Sequence, residues 1–282
     1  MGTYALTGSA SGIGATLSLA LAEQGHSLIT VDLKDADITA DLTTVEGRSK
    51  VISEVLERAP DGLDGFVPLA GLGGGTAPDL LITRLNYFGT VALVEGLRPA
   101  LAKKSGSVVL LCSNSAPMVP GDEAFIESLI AGDEEKALEI AAGISPGTHY
   151  MQTKRALNYW MRRHVMEYGR EGIRMNAIAP GPTLTPMTTP LFESEEYAPI
   201  MQALLDQTPA NRAADAEEIS NCQPQWGLAD IWNQRIAHRL LMLHPPHSTI
   251  CQIGLDRKSR HSKATSQSEL LRASPESRLL SL

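Results

Sequence analysis

Tyr150 and Lys154 stand four residues apart in "THYMQTKRALNYWMRRHVMEYGREG", a stretch whose pattern predicts one long helix. At that spacing both side chains project from the same helix face. A phenol is a poor base at neutral pH because its pKa is about 10. An ammonium beside it favours the phenolate, and the phenol can then exchange a proton with an alcohol or ketone oxygen. Taken alone, the spacing also describes an ordinary surface pair. A second cluster, "TGSASGIG", spans residues 7–14 with glycines at 8, 12 and 14. This is not the G-x-G-x-x-G spacing of the best-known dinucleotide fingerprint. It still falls after an apolar run and opens a helical pattern. There, free backbone N–H groups and the helix dipole favour a pyrophosphate, and missing Cβ atoms let it approach. A plain turn is the alternative. Asp32 ends the next apolar run, eighteen residues after Gly14. A carboxylate there accepts hydrogen bonds from both hydroxyls of an adenosine ribose and repels a 2′-phosphate, which favours NAD(H) over NADP(H). On its own, Asp32 could equally cap a turn or helix.

These groups need a scaffold, and the apolar runs describe one. "TYALTG", "HSLITVD", "ADITADLT", "LDGFVPLAG", "GSVVLLCS" and "IRMNAIAPG" read as strands. Between them "SGIGATLSLALAEQG", "TVEGRSKVISEVLERAP" and "LITRLNYFGTVALVEGLRPALAKK" read as helices. The alternation predicts an α/β fold, a three-layer doubly wound parallel sheet of the Rossmann kind. Residues 117–147 interrupt the rhythm. Within them "GDEAFIESLIAGDEEKALEIAAG" has a helical pattern and predicts a helical insertion, its second half a solvated helix over the substrate cleft. After about residue 221 the alternation stops. Residues 1–221 are expected to form the catalytic domain and residues 222–282 a poorly ordered tail.

The 282 residues carry a net charge of −8, which gives no reason to expect nucleic acid or an anionic membrane as partner. Residues 222–282 hold eight Lys/Arg against four Asp/Glu, so the tail differs in kind from the acidic body. No apolar run is long enough to span a bilayer, and the N-terminus lacks the regions of a signal peptide. Cys112, Cys222 and Cys251 form neither a disulfide framework nor a metal spacing, so a reducing cytoplasm is the simplest home. His244 and His247 lack further ligands, and no metal is expected. Cys112 reads as a small core residue.

The motif order resembles the short-chain dehydrogenase/reductase family, in its compact single-domain branch. The matching pieces are "TGSASGIG", Asp32, "AGLG", "LNYFG", "GSVVLLCSNSA", "YMQTK" and "NAIAPGPTLTPM", covering residues 3 to about 190. The resemblance implies interconversion of a secondary alcohol and a ketone by hydride transfer with NAD. It makes Tyr150 the acid/base. Lys154 lowers its pKa and binds the nicotinamide ribose. Ser113 bonds the substrate oxygen, with Ser115 as a rival whose alternative role is capping. Asn86 supports a water relay to Lys154, or is simply a helix residue bonding backbone. Gly8, Ser11, Gly12, Ile13 and Gly14 form the phosphate turn. Asp41 and Leu42 line the adenine pocket, and Ala70 and Gly71 pass under the adenosine ribose. In the stretch Pro180, Gly181, Thr183 and Thr185, the two threonines hold the carboxamide and phosphates.

Three departures accompany the likeness. Pro68 and Leu69 replace the usual asparagines, which weakens a structural tie. The gap from Ser113 to Tyr150 is long, and a similar insertion occurs in bacterial 3α-hydroxysteroid dehydrogenase/carbonyl reductases. That branch implies a small hydrophobic alcohol or ketone, a steroid among the candidates, and a homodimer or homotetramer. The aromatic and Met stripe of "LNYWMRRHVMEY" is then either core or a subunit-pairing face. Finally, the family's last apolar helix and strand do not follow "TPANRAADAEEISN". The final strand is expected to be missing, leaving an exposed sheet edge. A catalytically impaired NAD-binding protein is therefore the competing reading. An epimerase or dehydratase of the same superfamily would show Gly-x-x-Gly-x-x-Gly spacing and an added substrate domain, neither of which is seen.

Overall fold

A computed structural model describes residues 1–221. Strands β1 (Thr3–Thr7), β2 (Ser27–Asp32), β3 (Ile38–Thr39), β4 (Gly65–Pro68), β5 (Ser107–Leu111) and β6 (Arg174–Ile178) form one parallel sheet in the order β3-β2-β1-β4-β5-β6. The six apolar runs are these six strands. The near-continuous hydrophobicity of β1, β4 and β5 follows from burial on both faces. Alternate residues divide between two cores, as the two-residue period of a strand requires. Tyr4, Leu6, Val67 and Val109 pack on one face, while Ala5, Phe66, Val108 and Leu110 pack on the other. The strand order reverses between β1 and β4, so the carboxyl ends of these strands open onto a crevice where α/β sheets bind ligands.

The helices α1 (Gly12–Glu23), α2 (Val45–Arg58), α3 (Asp79–Thr83), α4 (Thr90–Lys104), α5 (Glu123–Ile130), α6 (Glu134–Ala141) and α7 (His149–Arg170) connect and cover these strands. Leu17 and Leu21 of α1 join the Tyr4/Leu6 core, whereas α2, α4 and α7 bury Val51, Leu97 and Trp160 on the opposite face. The helix expected over "LITRLNYFGTVALVEGLRPALAKK" is interrupted: a π-helical turn, Arg84–Gly89, joins α3 to α4 and carries Asn86. Beyond β6 the chain forms β7 (Thr183–Leu184), α8 (Thr189–Glu193), α9 (Ala198–Asp206), β8 (Ala214–Asp215) and α10 (Ala216–Ser220), with β7 and β8 paired as a small parallel ladder. Ile219 of α10 packs into the Tyr4/Leu6 core beside α1. Among the described residues no strand flanks β6 on its outer side, and none has a helix long and apolar enough to cross a membrane. The expected tail, the final strand and the His244/His247 pair lie outside the described residues.

The insertion is two helices rather than one, because Gly132 turns the chain at a φ of +75° between them. Asp122 and Asp133 cap them, accepting from Phe125 N–H and Lys136 N–H. α5 lies along α7 and buries Phe125 and Leu129 there. Trp160 and Tyr168 of the aromatic stripe are buried by the chain's own packing, with the Arg98 guanidinium 4.5 Å from the Tyr168 ring centre. α6 is solvated along one side, with Glu135, Lys136 and Glu139 exposed, and packed along the other. It buries Ala137 and Ala141, packs on α3 and α5, and reaches α2 through Glu134. The Glu134 carboxylate takes both ends of the buried Arg48 guanidinium at 2.6 and 3.1 Å. Arg48 also donates to the carbonyls of Leu42, Thr43 and Arg84. Glu134→Gln leaves this buried cation without its carboxylate. It is expected to lower unfolding free energy by about 2 kcal/mol, read as a lower urea midpoint at unchanged slope.

Candidate active site

The glycine turn is built where β1 runs into α1. Gly8 has a φ of +68°, and a Cβ on it would lie 2.6 Å from the Ala70 nitrogen, since the ends of β1 and β4 adjoin. A Cβ on Gly14 would lie 1.9 Å from the Gly8 carbonyl oxygen, so only glycine lets α1 start this close to the turn. Ser11 is the N-cap of α1, exposed, and its side chain makes no capping bond. Ile13 packs against the Tyr4/Leu6 core and anchors the first helical turn. Asp32 ends β2 with both carboxylate oxygens engaged by backbone. Ala10 N–H donates to Oδ2 at 2.9 Å and Leu33 N–H to Oδ1 at 2.7 Å. The carboxylate is thereby oriented along the glycine turn.

Other expected cofactor residues surround the same turn, in differing states. Leu42 is buried, but Asp41 is exposed and its carboxylate accepts from the N–H and hydroxyl of Thr43, closing a local turn. Ala70 N–H donates to the Thr7 hydroxyl at 3.1 Å, which holds the strand end despite Pro68 and Leu69. Gly71 borders the Asn86 side chain, where a Cβ would lie 3.2 Å from Oδ1. Asn86 is fully buried. Its Oδ1 accepts from Leu72 N–H at 2.8 Å and its Nδ2 donates to the Leu72 carbonyl at 2.9 Å. These two bonds tie the side chain to Leu72, because the π turn places it beside that loop.

Pro180 and Gly181 follow β6 beside Asn114, whose N–H donates to the Pro180 carbonyl. The Thr183 hydroxyl donates to the Gly181 carbonyl at 3.0 Å. Thr185 stands across from α1, its side chain 3.4 Å from where a Gly12 Cβ would be. Sequence reasoning missed Thr188, whose hydroxyl bonds the Thr183 carbonyl, the Thr185 N–H and the Thr185 hydroxyl. It knots the segment that faces the glycine turn. Nothing in "PGPTLTPMTT" distinguishes this threonine from its neighbours before the turn is seen.

The residues expected to carry acid–base chemistry meet just past the end of β5. Lys154 is buried, and its Nζ donates to the Leu111 carbonyl at 2.7 Å and lies 5.7 Å from the Tyr150 ring centre. Burial lowers the Lys154 pKa to about 8. The Tyr150 phenol departs from expectation: burial raises it above its usual value, and a hydrogen bond from Ser113 only partly offsets this. Withdrawal from water sets the direction, and the Lys154 headgroup is turned to the Leu111 carbonyl. Ser113 is buried just past the end of β5 and bonds Tyr150, whereas Ser115 is half-buried and bonds Ser113. The two hydroxyl oxygens are 2.9 Å apart, and Ser115 N–H donates to Ser113 Oγ at 3.2 Å. Arg155, beside Lys154, holds the loop after β5 by donating to the carbonyls of Ala116 and Val119. Cys112 is a buried core residue whose thiol burial pushes up to about 11. The loop 71–76 lies between Tyr150 and the segment after β7. Gly73 packs on Met187, Gly75 on Tyr197, and Gly74 between them on Tyr150.

Comparison with known proteins gives concordant likenesses. A family model described as enoyl-(acyl carrier protein) reductase matches residues 137–223. The 3-alpha-hydroxysteroid dehydrogenase/carbonyl reductase of Comamonas testosteroni is 34% identical over 226 residues, covering 78% of this chain and 87% of that protein. The coniferyl-alcohol dehydrogenase of Pseudomonas sp. (strain HR199 / DSM 7063) is 32% identical over 64% of this chain and 73% of its own length. The crystal structure of the 3-alpha-hydroxysteroid dehydrogenase from Pseudomonas sp. B-0831, complexed with NADH, superposes with a TM-score of 0.73 at 34% identity. That likeness covers 79% of this chain and 88% of the other.

Proposed function

Since this chain belongs to the short-chain dehydrogenase/reductase family, we propose that it interconverts a secondary alcohol and a ketone with NAD(H). The observation that carries this reading is the meeting of Tyr150, Ser113 and the buried Lys154 past the carboxyl end of β5, in the parallel sheet whose β1 ends in the glycine turn. The residues present fit a dinucleotide. Gly8 and Gly14 leave no Cβ in the turn, Ser11 keeps its hydroxyl free of capping, and Asp32 points along it. The first N–H groups of α1 and Ser11 bind the pyrophosphate. Asp32 takes the adenosine ribose hydroxyls, with Leu42, Ala70 and Gly71 beside it. Thr183 and Thr185, behind Pro180 and Gly181, hold the carboxamide side.

Bound NAD supplies hydride acceptance. Tyr150 gives or takes the proton of the substrate oxygen. Ser113 donates a hydrogen bond to that oxygen and stabilises its developing charge. Lys154, with its pKa near 8, still carries its charge at neutral pH and supports the phenolate. The names of two relatives, a hydroxysteroid dehydrogenase/carbonyl reductase and a coniferyl-alcohol dehydrogenase, favour a bulky, largely apolar alcohol. Met187 and Tyr197 suit such a substrate at the mouth of the site.

The test is nicotinamide absorbance with NAD or NADP and a panel of hydroxysteroids and simple secondary alcohols. Turnover with a preference for NAD supports the reading. Tight NAD binding without turnover across the panel supports the impaired binding protein instead. Asp32→Ala is expected to weaken NAD by about ten- to a hundred-fold, from the loss of charge-assisted bonds, and to remove the preference over NADP. An unchanged preference would take Asp32 out of the ribose site.

A further inference from the structure

We propose that His149 and Asp79 form a positioning pair through which the inserted helix α6 and helix α3 set the place of the Tyr150 phenol. The proposal rests on the reading of Tyr150 as the acid/base. His149 opens α7, directly before Tyr150, and is 2% exposed. Its Nε2 lies 2.9 Å from the carbonyl oxygen of Ala141, the last residue of α6. Its Nδ1 is buried, with no aligned hydrogen bond, and lies 3.3 Å from Oδ1 of Asp79, the first residue of α3. The other Asp79 oxygen accepts from Gly147 N–H at 3.2 Å, in the turn that leads into α7. The Phe125 ring of α5 meets the imidazole edge-on at 5.9 Å.

The need for such a tie is local. The first turn of a helix has unpaired N–H groups and frays unless it is capped. Thr148, the N-cap of α7, makes no side-chain capping bond. Tyr150 sits in that turn, and proton transfer tolerates little displacement. The imidazole instead fastens the uncapped turn to α3 and α6. An apolar side chain of similar size would fill the space equally well, so the two polar contacts need a reason beyond packing.

Full-length wild type is compared with His149→Phe, His149→Gln, Asp79→Asn and the double variant His149→Phe/Asp79→Asn. His149→Phe keeps the ring volume and removes both contacts. It is expected to lower kcat at least about ten-fold, with KM for NAD and substrate within about two-fold. Asp79→Asn lowers kcat in the same sense, and the double variant is no worse than His149→Phe. His149→Gln, whose amide still reaches the Ala141 carbonyl, recovers most of the loss. A second readout needs no turnover. In protein carrying carbon-13-labelled tyrosine, the Tyr150 signal is identified by its absence in Tyr150→Phe. It is expected to be single in wild type, broadened or split in His149→Phe, and restored in His149→Gln. If wild type turns over no substrate, the catalytic reading fails while this signal still decides whether the pair positions the ring. Should His149→Phe not fold, Asp79→Asn, at a side chain 26% exposed, gives both readouts. An unchanged kcat in an active protein, an unchanged Tyr150 signal, or losses that multiply in the double variant overturn the proposal.

Discussion

Tyr150→Phe is expected to lose at least about 10³-fold in kcat, within the range that a positioned general acid–base supplies, while NAD binding stays within about two-fold of wild type. The substitution removes one oxygen and keeps the ring, so the packing of Tyr150 against the 71–76 loop and the Lys154 contact survive. Ser113 loses its bond to the phenol but keeps both contacts with Ser115, so its hydroxyl remains in place. Only the proton carrier is gone. Stability is expected to hold or rise slightly, because the oxygen removed is one that folding withdraws from water. Steady-state turnover, a fluorescence titration with NAD and a thermal melt check the three parts separately. Retention of more than about a tenth of wild-type kcat, well above what loss of an acid–base group allows, would remove Tyr150 from the chemistry.

Lys154→Met is expected to separate activity from stability. Turnover falls about 10²-fold or more, because the phenolate loses its cation. Stability at pH 7 rises. In the folded protein the Lys154 pKa is about 8, below its ordinary 10.5, so folding disfavours the charged form. The penalty is complete below pH 8 and amounts to about 3 kcal/mol at 1.36 kcal/mol per pKa unit. It declines as pH rises from 8 to 10.5, where the unfolded chain holds more protons than the folded one. Methionine escapes the penalty but leaves the Leu111 carbonyl without its donor, which costs back about 1–2 kcal/mol. The net gain at pH 7 is about 1–2 kcal/mol on the same scale. Urea unfolding of both proteins at pH 7 and at pH 10 measures it, with the advantage of the variant shrinking at the higher pH. A difference that does not change with pH would show that Lys154 is not desolvated on folding.

Much of the architecture was legible because its causes are local. Central parallel strands must be apolar on both faces, so "TYALTG" and "GSVVLLCS" announce themselves. A helix that starts within van der Waals reach of a strand end needs glycine, so "TGSASGIG" marks the turn before any coordinates exist. The spacing of Tyr150 and Lys154 likewise follows from helical geometry alone. The site was less legible wherever a distant segment sets the environment. Spacing puts an ammonium near the phenol, yet burial raises the Tyr150 pKa and turns Lys154 toward Leu111. Asn86 is visible in "LNYFG", but its commitment to Leu72 depends on a π turn that no periodicity predicts.

The amino-acid order alone thus determined the α/β class, the six strands, the glycine turn after β1 and the residue types that could exchange a proton, since each depends on neighbours a few positions away. Tertiary packing decided which serine meets the phenol, where α6 lies, and what surrounds Arg48 and His149. Those outcomes depend on contacts as far apart in sequence as Arg48 and Glu134, and they bring together groups whose burial and partners have no local signature.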